Sequence, residues 1–194
     1  MPRPKSFDPE AALSKAMDVF WEKGYDAASI TDLTAAMGIN RFSLYDTFGD
    51  KRTLYLKALD FYSEQFVEPM VGKISMIDTM GGLGSLFDGL IEYQGSCSGK
   101  PCCMMQKASV SMAMGDAEAR QRVEHARGRI HEAYQEALER VRRNGELRAD
   151  LDLSETAWLV MIIQDGLLSS ASSPIPTESA KSAVGILLGD LKAK

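Results

Sequence analysis

Residues 40–55 read NRFSLYDTFGDKRTLY, and the way this stretch folds decides how the rest is read. Asn40 is a helix-capping residue type, Gly49-Asp50 is a break, and Asp50 can cap whatever follows. The spacing therefore predicts a short helix ending near Phe48 and a new helix beginning at Lys51. A helix advances about 100° per residue. Leu44 and Phe48, four apart, share the side that faces a core. Phe42, Ser43 and Asp46 fall opposite, flanked by Arg41 and Tyr45 on one side and Thr47 on the other. Packing of Phe42 and Tyr45 onto neighbouring helices is the plain alternative, since aromatic side chains are usually covered.

Upstream, FDPEAALSKAMDVFWEKGY predicts a helix capped by Asp8 with Pro9 in its first turn, an apolar stripe of Leu13, Met17, Phe20 and Trp21, and a stop at Gly24. SITDLTAAMG predicts a second helix, with Ser29 and Asp32 at capping-box spacing and Gly38 as terminator. Three helices before residue 50, with a short break between the second and third, have helix-turn-helix dimensions. A fourth helix is expected from Asp50 to about Pro69. Further helices are expected over 79–94, 101–114, 116–144, 153–172 and 176–193, with Asp116 and Asp152 as caps. The pattern contains no period-2 strand and no repeat.

The chain has 194 residues, 45% of them hydrophobic, three cysteines and a net charge of −5. Residues 1–57 carry eight Lys/Arg and eight Asp/Glu, so the whole deficit lies downstream. A neutral head on an acidic body is compatible with DNA binding. No apolar run is long enough for a transmembrane helix, and the N-terminus MPRPKSFDPE lacks the apolar core of a signal peptide. A reducing cytoplasm and no membrane partner are the expectations.

The outer face of the third helix suits a DNA groove. Arg41 can pair with guanine, Phe42 can touch a thymine methyl, and Ser43 can bond base or phosphate. Tyr45 can donate to a phosphate, and Lys51 sits where helix N-terminal N–H groups also attract one. Arg52 adds charge. Asp46 repels phosphate, but can accept from a cytosine amino group or buttress Arg41.

The segment A…F…KGYDAASITDLTAAMGINRFSLYDTFGDKRTLY resembles the DNA-binding head of the TetR family of bacterial transcriptional regulators. The diagnostic pieces are Gly38-Ile39, Ser43-Leu44-Tyr45, Phe48 and Lys51. The resemblance implies an all-α protein: an N-terminal three-helix helix-turn-helix DNA-binding head, residues 1–50, and a larger C-terminal helical ligand-binding and dimerisation domain, residues 51–194. It implies a homodimer that binds double-stranded operator DNA, as a repressor released by an inducer. The DNA contacts it implies are Ser29 and Thr31 on the second helix, then Arg41, Phe42, Ser43, Tyr45, Thr47 and Lys51. Many members carry a neutral residue where this chain has Asp46, which leaves base preference open. Arg3 and Lys5 resemble the basic arms of some members.

In the remaining three quarters, ETAWLVMIIQDGLLSSAS places Trp158, Leu159, Ile162, Ile163 and Leu167 on more than one face, and AVGILLGDL supplies Val184, Leu187, Leu188 and Leu191. Two such helices, about 153–172 and 176–193, suggest a four-helix dimer interface, with an ordinary monomer core as the alternative. A pocket for a small apolar or aromatic inducer is expected among Phe61, Phe66, Met70, Phe87, Tyr93, Met104, Met105, Met112, Tyr134 and Met161. Gln106, Lys107 and Gln164 are candidate polar anchors.

GSCSGKPCCMMQKASV holds Cys97, Cys102 and Cys103. The Cys103 region resembles a helix start through which some family members sense electrophiles or oxidants. A thiol at a helix N-terminus near Lys100 and Lys107 should be more acidic than usual, and Cys97 with Cys102 or Cys103 is the plausible redox pair. A redox- or electrophile-sensing regulator is thus an alternative to ligand induction. A buried small hydrophobe is the bland reading of each thiol. His125 and His131 lie six apart, on different helix faces, and no zinc set has the usual spacing. No metal, no cofactor and no enzymatic activity are expected. An α-helical enzyme or small-molecule carrier is the remote alternative.

Overall fold

A computed structural model describes residues 7–96, 103–111, 115–169 and 175–193. These residues are helical, apart from turns and an isolated antiparallel bridge between Leu147 and Lys192. They belong to two compact units, which interleave along the chain. The first comprises residues 1–65 and 104–124, the second 66–103 and 125–194.

The first unit opens with α1 (Pro9–Lys23), α2 (Ile30–Met37), α3 (Arg41–Phe48) and α4 (Lys51–Tyr62). Each begins on a side chain that accepts a backbone N–H, satisfying donors the first helical turn leaves unpaired. Asp8 takes the N–H of Glu10 and Asn40 that of Ser43; Asp50 takes that of Thr53. Ser29 and Asp32 form a reciprocal capping box. Gly24, Gly38 and Gly49 end the first three helices at φ between 68° and 81°, where a Cβ would be strained. Each amphipathic helix then buries one stripe: Met17 and Phe20, Leu33 and Met37, Leu44 and Phe48, Leu54 and Leu59. Full burial contributes about 1.5–3 kcal/mol for each such side chain.

The units do not part at residue 50. Helix α4 packs on α1, and the segment from α7 (Met104–Ser109) into the start of α8 (Ala117–Arg143) completes the same unit. Charge explains the attachment. The Arg52 guanidinium pairs with both oxygens of Asp116 and donates to Glu118 at 2.9 Å. Arg122 donates to Asp60 at 2.8 Å. Lys107 donates to the carbonyls of Glu22 and Trp21, at 2.6 and 3.4 Å, at the C-terminal end of α1. There its positive charge also favours the helix dipole.

The fourth helix does not stop at Pro69. A π turn over Ser63–Val67 leads into α5 (Glu68–Ser75), with Pro69 in its first turn. Proline has no N–H to donate and fits a first turn, so the chain widens ahead of it and stays helical.

The second unit contains α5, α6 (Met80–Ser96), most of α8, α9 (Leu153–Ser169) and α10 (Thr177–Leu191). Its core joins Leu83, Phe87 and Leu90 of α6 to Tyr134 and Leu138 of α8, Val160 and Met161 of α9, and Val184 and Leu187 of α10. Ion pairs lie around this core: Arg129 with Glu68, and Arg127 with Asp165. Arg140 donates to the carbonyls of Ser75 and Ile77, both at 3.0 Å, where α5 ends. Among the described residues, no helix is long and apolar enough to cross a membrane.

Two expectations for this region change. Val184, Leu187 and Leu191 of α10, and Leu167 of α9, are buried in the protomer's own core. They are not an outward seam. The apolar side chains left outside are Trp158, Leu159 and Ile162 on α9 and Ile186 on α10, the last two 61% and 73% exposed. The expected helix over 101–114 contains α7, which ends at Ser109 before a turn at 110–111.

Candidate nucleic-acid interface

Helix α3 has two faces of opposite character. Leu44 is 0% exposed and Phe48 is 4%, whereas Phe42, two residues from Leu44, is 78% exposed. Arg41, Tyr45 and Asp46 are exposed, and Ser43 and Thr47 half-buried. One exposed aromatic is ordinary by itself; here it stands with Arg41 and Tyr45 on the outer face of the third helix of a helix-turn-helix. The Arg41 guanidinium lies 5.7 Å from the Tyr45 ring centroid and donates to its hydroxyl at 3.4 Å. It forms no ion pair with Asp46, so the expected buttress is absent. As acceptor in that contact, the Tyr45 hydroxyl keeps its own proton for donation.

Lys51 opens α4 beside this face. Its ammonium sits 4.6 Å from the centroid of Tyr25. Tyr25 in turn packs against Tyr55 at 5.1 Å and stacks on Phe20 at 6.4 Å. Burial, followed by the carboxylates of Asp50, Asp26 and Asp116, pushes the Tyr25 phenol above its ordinary value, against a smaller opposing effect of Arg52. The ring therefore stays neutral, a π face on which the cation rests. The sequence reading missed Tyr25; its one signal is an aromatic directly after the glycine that ends α1.

The flanking positions are less uniform. Thr31 is exposed on the first turn of α2. Ser29 has committed both its donors to Asp32: the backbone N–H at 2.9 Å and the hydroxyl at 2.6 Å. It retains no proton for a phosphate. Lys23 pairs with the same carboxylate at 2.6 Å, and these bonds, led by that to Lys23, hold the Asp32 carboxyl far below the usual range. Arg52, expected to add charge at this surface, is spent on Asp116 and Glu118. Its hydrogen bonds lower the Asp116 carboxyl to about 2.

The expected inducer residues divide between the units. Phe61, Met104 and Met105 belong to the first unit, and both methionines are buried there. Lys107 is committed to α1 rather than to a pocket. Phe87, Tyr134 and Met161 come together in the core of the second unit, with Met70 packed against it. Phe66 and Tyr93, of the same unit, are 40% and 38% exposed. Gln164 is buried and accepts from the Tyr134 hydroxyl at 2.5 Å. Cys103 is half-buried, just ahead of α7. Met112, Cys97 and Cys102 lie outside the described residues, as do Arg3 and Lys5. His131 stacks on Trp158 at 4.2 Å and bonds to the carbonyl oxygen of Ser154 at 3.1 Å. Among the described residues, no group of three or more His, Cys, Asp or Glu is placed to hold a metal ion.

A capped helix-turn-helix with an exposed, mixed polar and aromatic third helix, followed by a larger helical unit, defines a DNA-binding transcriptional regulator. The family is equally plain: residues 12–58 match the bacterial regulatory proteins of the tetR family, and residues 80–183 the tetracyclin repressor-like C-terminal domain, so the chain belongs to the TetR family. It is 29% identical over 159 residues to YezE, an uncharacterized HTH-type transcriptional regulator of Bacillus subtilis (strain 168), covering 81% of this chain and 82% of that one. Over 64 residues it is 47% identical to the HTH-type transcriptional repressor ComR of Escherichia coli (strain K12), covering 33% and 30% of the two chains. Among solved structures, the TetR family regulator CifR, a cysteine mutant complexed with 26 bp double-strand operator DNA, superposes with a TM-score of 0.78 at 30% identity, over 96% of this chain and 98% of that one. This chain is accordingly a regulator that represses by binding DNA, not an enzyme.

Proposed function

We propose that the protein is a cytoplasmic homodimer that holds a pseudo-palindromic operator through α3 and is released by a small, largely apolar inducer bound in the second unit. The observation that carries this reading is the two-faced α3, with Phe42 in water and Leu44 in the core. Arg41, Phe42, Ser43, Tyr45 and Thr47 meet base edges and backbone, with Thr31 and Lys51 on phosphates. Ser29 contributes to positioning α2 through its capping box. CifR, with operator DNA in its complex, supports the choice of partner. The exposed Leu159, Ile162 and Ile186 supply the face for a second copy. Two recognition helices in such a dimer read half-sites about one DNA turn, ~34 Å, apart.

Release requires the inducer to bind best in a state of low DNA affinity, with a coupling of about 1–3 kcal/mol. The chain is suited to that, because it passes between the two units three times, after Gln65, Cys103 and Glu124. The test is an electrophoretic shift with DNA flanking the protein's own gene. A salt-sensitive complex is expected, and its absence with every upstream fragment would sink the reading.

A second trigger acts within the same class. Cys103 is half-buried and directly precedes α7, where a helix terminus favours the thiolate form. Oxidants or alkylators should then release wild-type protein from DNA. Equal release of a variant with all three cysteines changed to serine would exclude this trigger.

A further inference from the structure

Asp46 occupies the middle of the outer face of α3, and nothing among the described residues balances its charge. At about 100° per residue it lies about 180° from the mean direction of Leu44 and Phe48, the two residues that α3 buries. It is exposed and makes no hydrogen bond or ion pair among the described residues. The cations around it are placed elsewhere. Arg41 lies against Tyr45, Lys51 over Tyr25, and Lys57 5.7 Å from the Phe48 ring centroid. Arg52 is held by Asp116 and Glu118. The neighbouring carboxylates differ from Asp46 in being committed. Asp32 accepts from Ser29 and Lys23, and Asp50 takes the N–H of Thr53.

Two physical effects oppose a carboxylate at this position. It sits in the last turn of α3, where the helix dipole disfavours negative charge. On DNA it also enters the negative potential of the phosphates and gives up its water, and an acceptor left unmade there weakens the complex. A donor on the groove floor reverses that balance. An ionised carboxylate only accepts, and the major groove offers it two donors, the amino groups of cytosine and adenine. Guanine N7 and O6 and thymine O4 are acceptors and repel it. Adenine sets its own N7 acceptor beside the amino group, whereas cytosine has no acceptor there. With Arg41 turned to Tyr45, the role of buttress is gone, and reading cytosine is the role that the geometry leaves.

We propose that Asp46 is a specificity-determining residue, whose carboxylate accepts from the amino group of a cytosine in each operator half-site. This deepens the reading above and rests on α3 lying in the major groove.

The experiment enriches a randomised duplex library on the full chain and compares base preferences among wild type, Asp46→Ala and Asp46→Asn, with Phe42→Ala as control. Wild type should prefer cytosine by about tenfold at one position of each half-site, the worth of one good base contact. Asp46→Ala should cut that preference to about threefold or less and leave the other positions as they were. It should also hold a scrambled duplex at least as tightly as wild type, because a charge that repels phosphate is gone. Asp46→Asn, whose carboxamide both donates and accepts, should move the preference at that position toward adenine. Both variants should melt no lower than wild type, since the side chain has no partner to lose. A loss spread evenly over all positions would mean a merely structural role and overturns the proposal. An unchanged cytosine position in both variants also overturns it, and if Phe42→Ala still alters one position, α3 remains the reading helix. If none of the three variants alters any position, or wild type enriches no sequence, the reading of α3 falls with it.

Discussion

Phe42 and Leu44 lie two residues apart on α3, and alanine at each should do opposite things. Leu44 is 0% exposed, so Leu44→Ala removes buried atoms and leaves a cavity, costing about 2–5 kcal/mol of stability. Phe42 is 78% exposed, so Phe42→Ala leaves no cavity and should change stability by no more than about 0.5 kcal/mol. On DNA the order reverses. Full burial of a Phe side chain is worth about 1.5–3 kcal/mol, and partial burial against a thymine methyl about 1 kcal/mol. Two heads in a dimer make this about 2 kcal/mol, or roughly 30-fold in Kd. Fluorescence anisotropy with a labelled operator at fixed salt measures the affinity. Thermal melts at fixed protein concentration measure stability, at about 2–4 °C per kcal/mol for a chain of this size. The reasoning is refuted if Phe42→Ala binds DNA within threefold of wild type. It is equally refuted if Phe42→Ala melts as low as Leu44→Ala.

Three further outcomes follow from the same geometry. Lys51→Ala should lower the slope of log affinity against log salt by about 1.8 for a dimer losing two phosphate contacts; Tyr25→Phe should leave the slope unchanged, because the ring under the ammonium remains. Asp116 has a folded pKa of about 2, below its unfolded value, so its pairing with Arg52 stabilises above about pH 4 and is lost as pH falls through 2. The melting-temperature gap between wild type and Asp116→Asn should therefore close across that window, and a gap constant with pH would contradict the pairing. Glu at the exposed Ile162 or Ile186 should give folded monomers in sedimentation velocity, whereas an unchanged dimer mass would move the interface elsewhere.

Much of the head was legible because its signals are local. A cap joins residues two or three apart, as Asn40 and Ser43 do, and a helix repeats its faces every 3.6 residues or so. That is enough to put Leu44 inward and Phe42 outward. The ion pairs were not legible. Arg52 and Asp116 are 64 residues apart in sequence, and Lys107 and Glu22 are 85 apart. Nothing in the local pattern says that Arg52 is spent on a carboxylate while Lys51, its neighbour, rests on a tyrosine. For the same reason the first unit's reach beyond residue 50, to α4 and to residues 104–124, was missed. Pro69 reads as a stop in the sequence, because a single-sequence pattern does not distinguish a helix end from a π turn that admits proline.

The body divides along the same line. Periodicity alone makes α9 and α10 apolar helices, and it cannot say which apolar face meets the protomer's own core. Tertiary packing decided that: Val184, Leu187 and Leu191 went inside, and Ile162 and Ile186 stayed out. Packing also brought Tyr134 and Gln164, 30 residues apart, to 2.5 Å. By itself, then, the sequence determined the helices, their caps and the outward face of α3, since those depend on backbone geometry over a few residues. The partners of its charges and the uncovered faces were decided by the tertiary structure, since each depends on where a distant helix comes to rest.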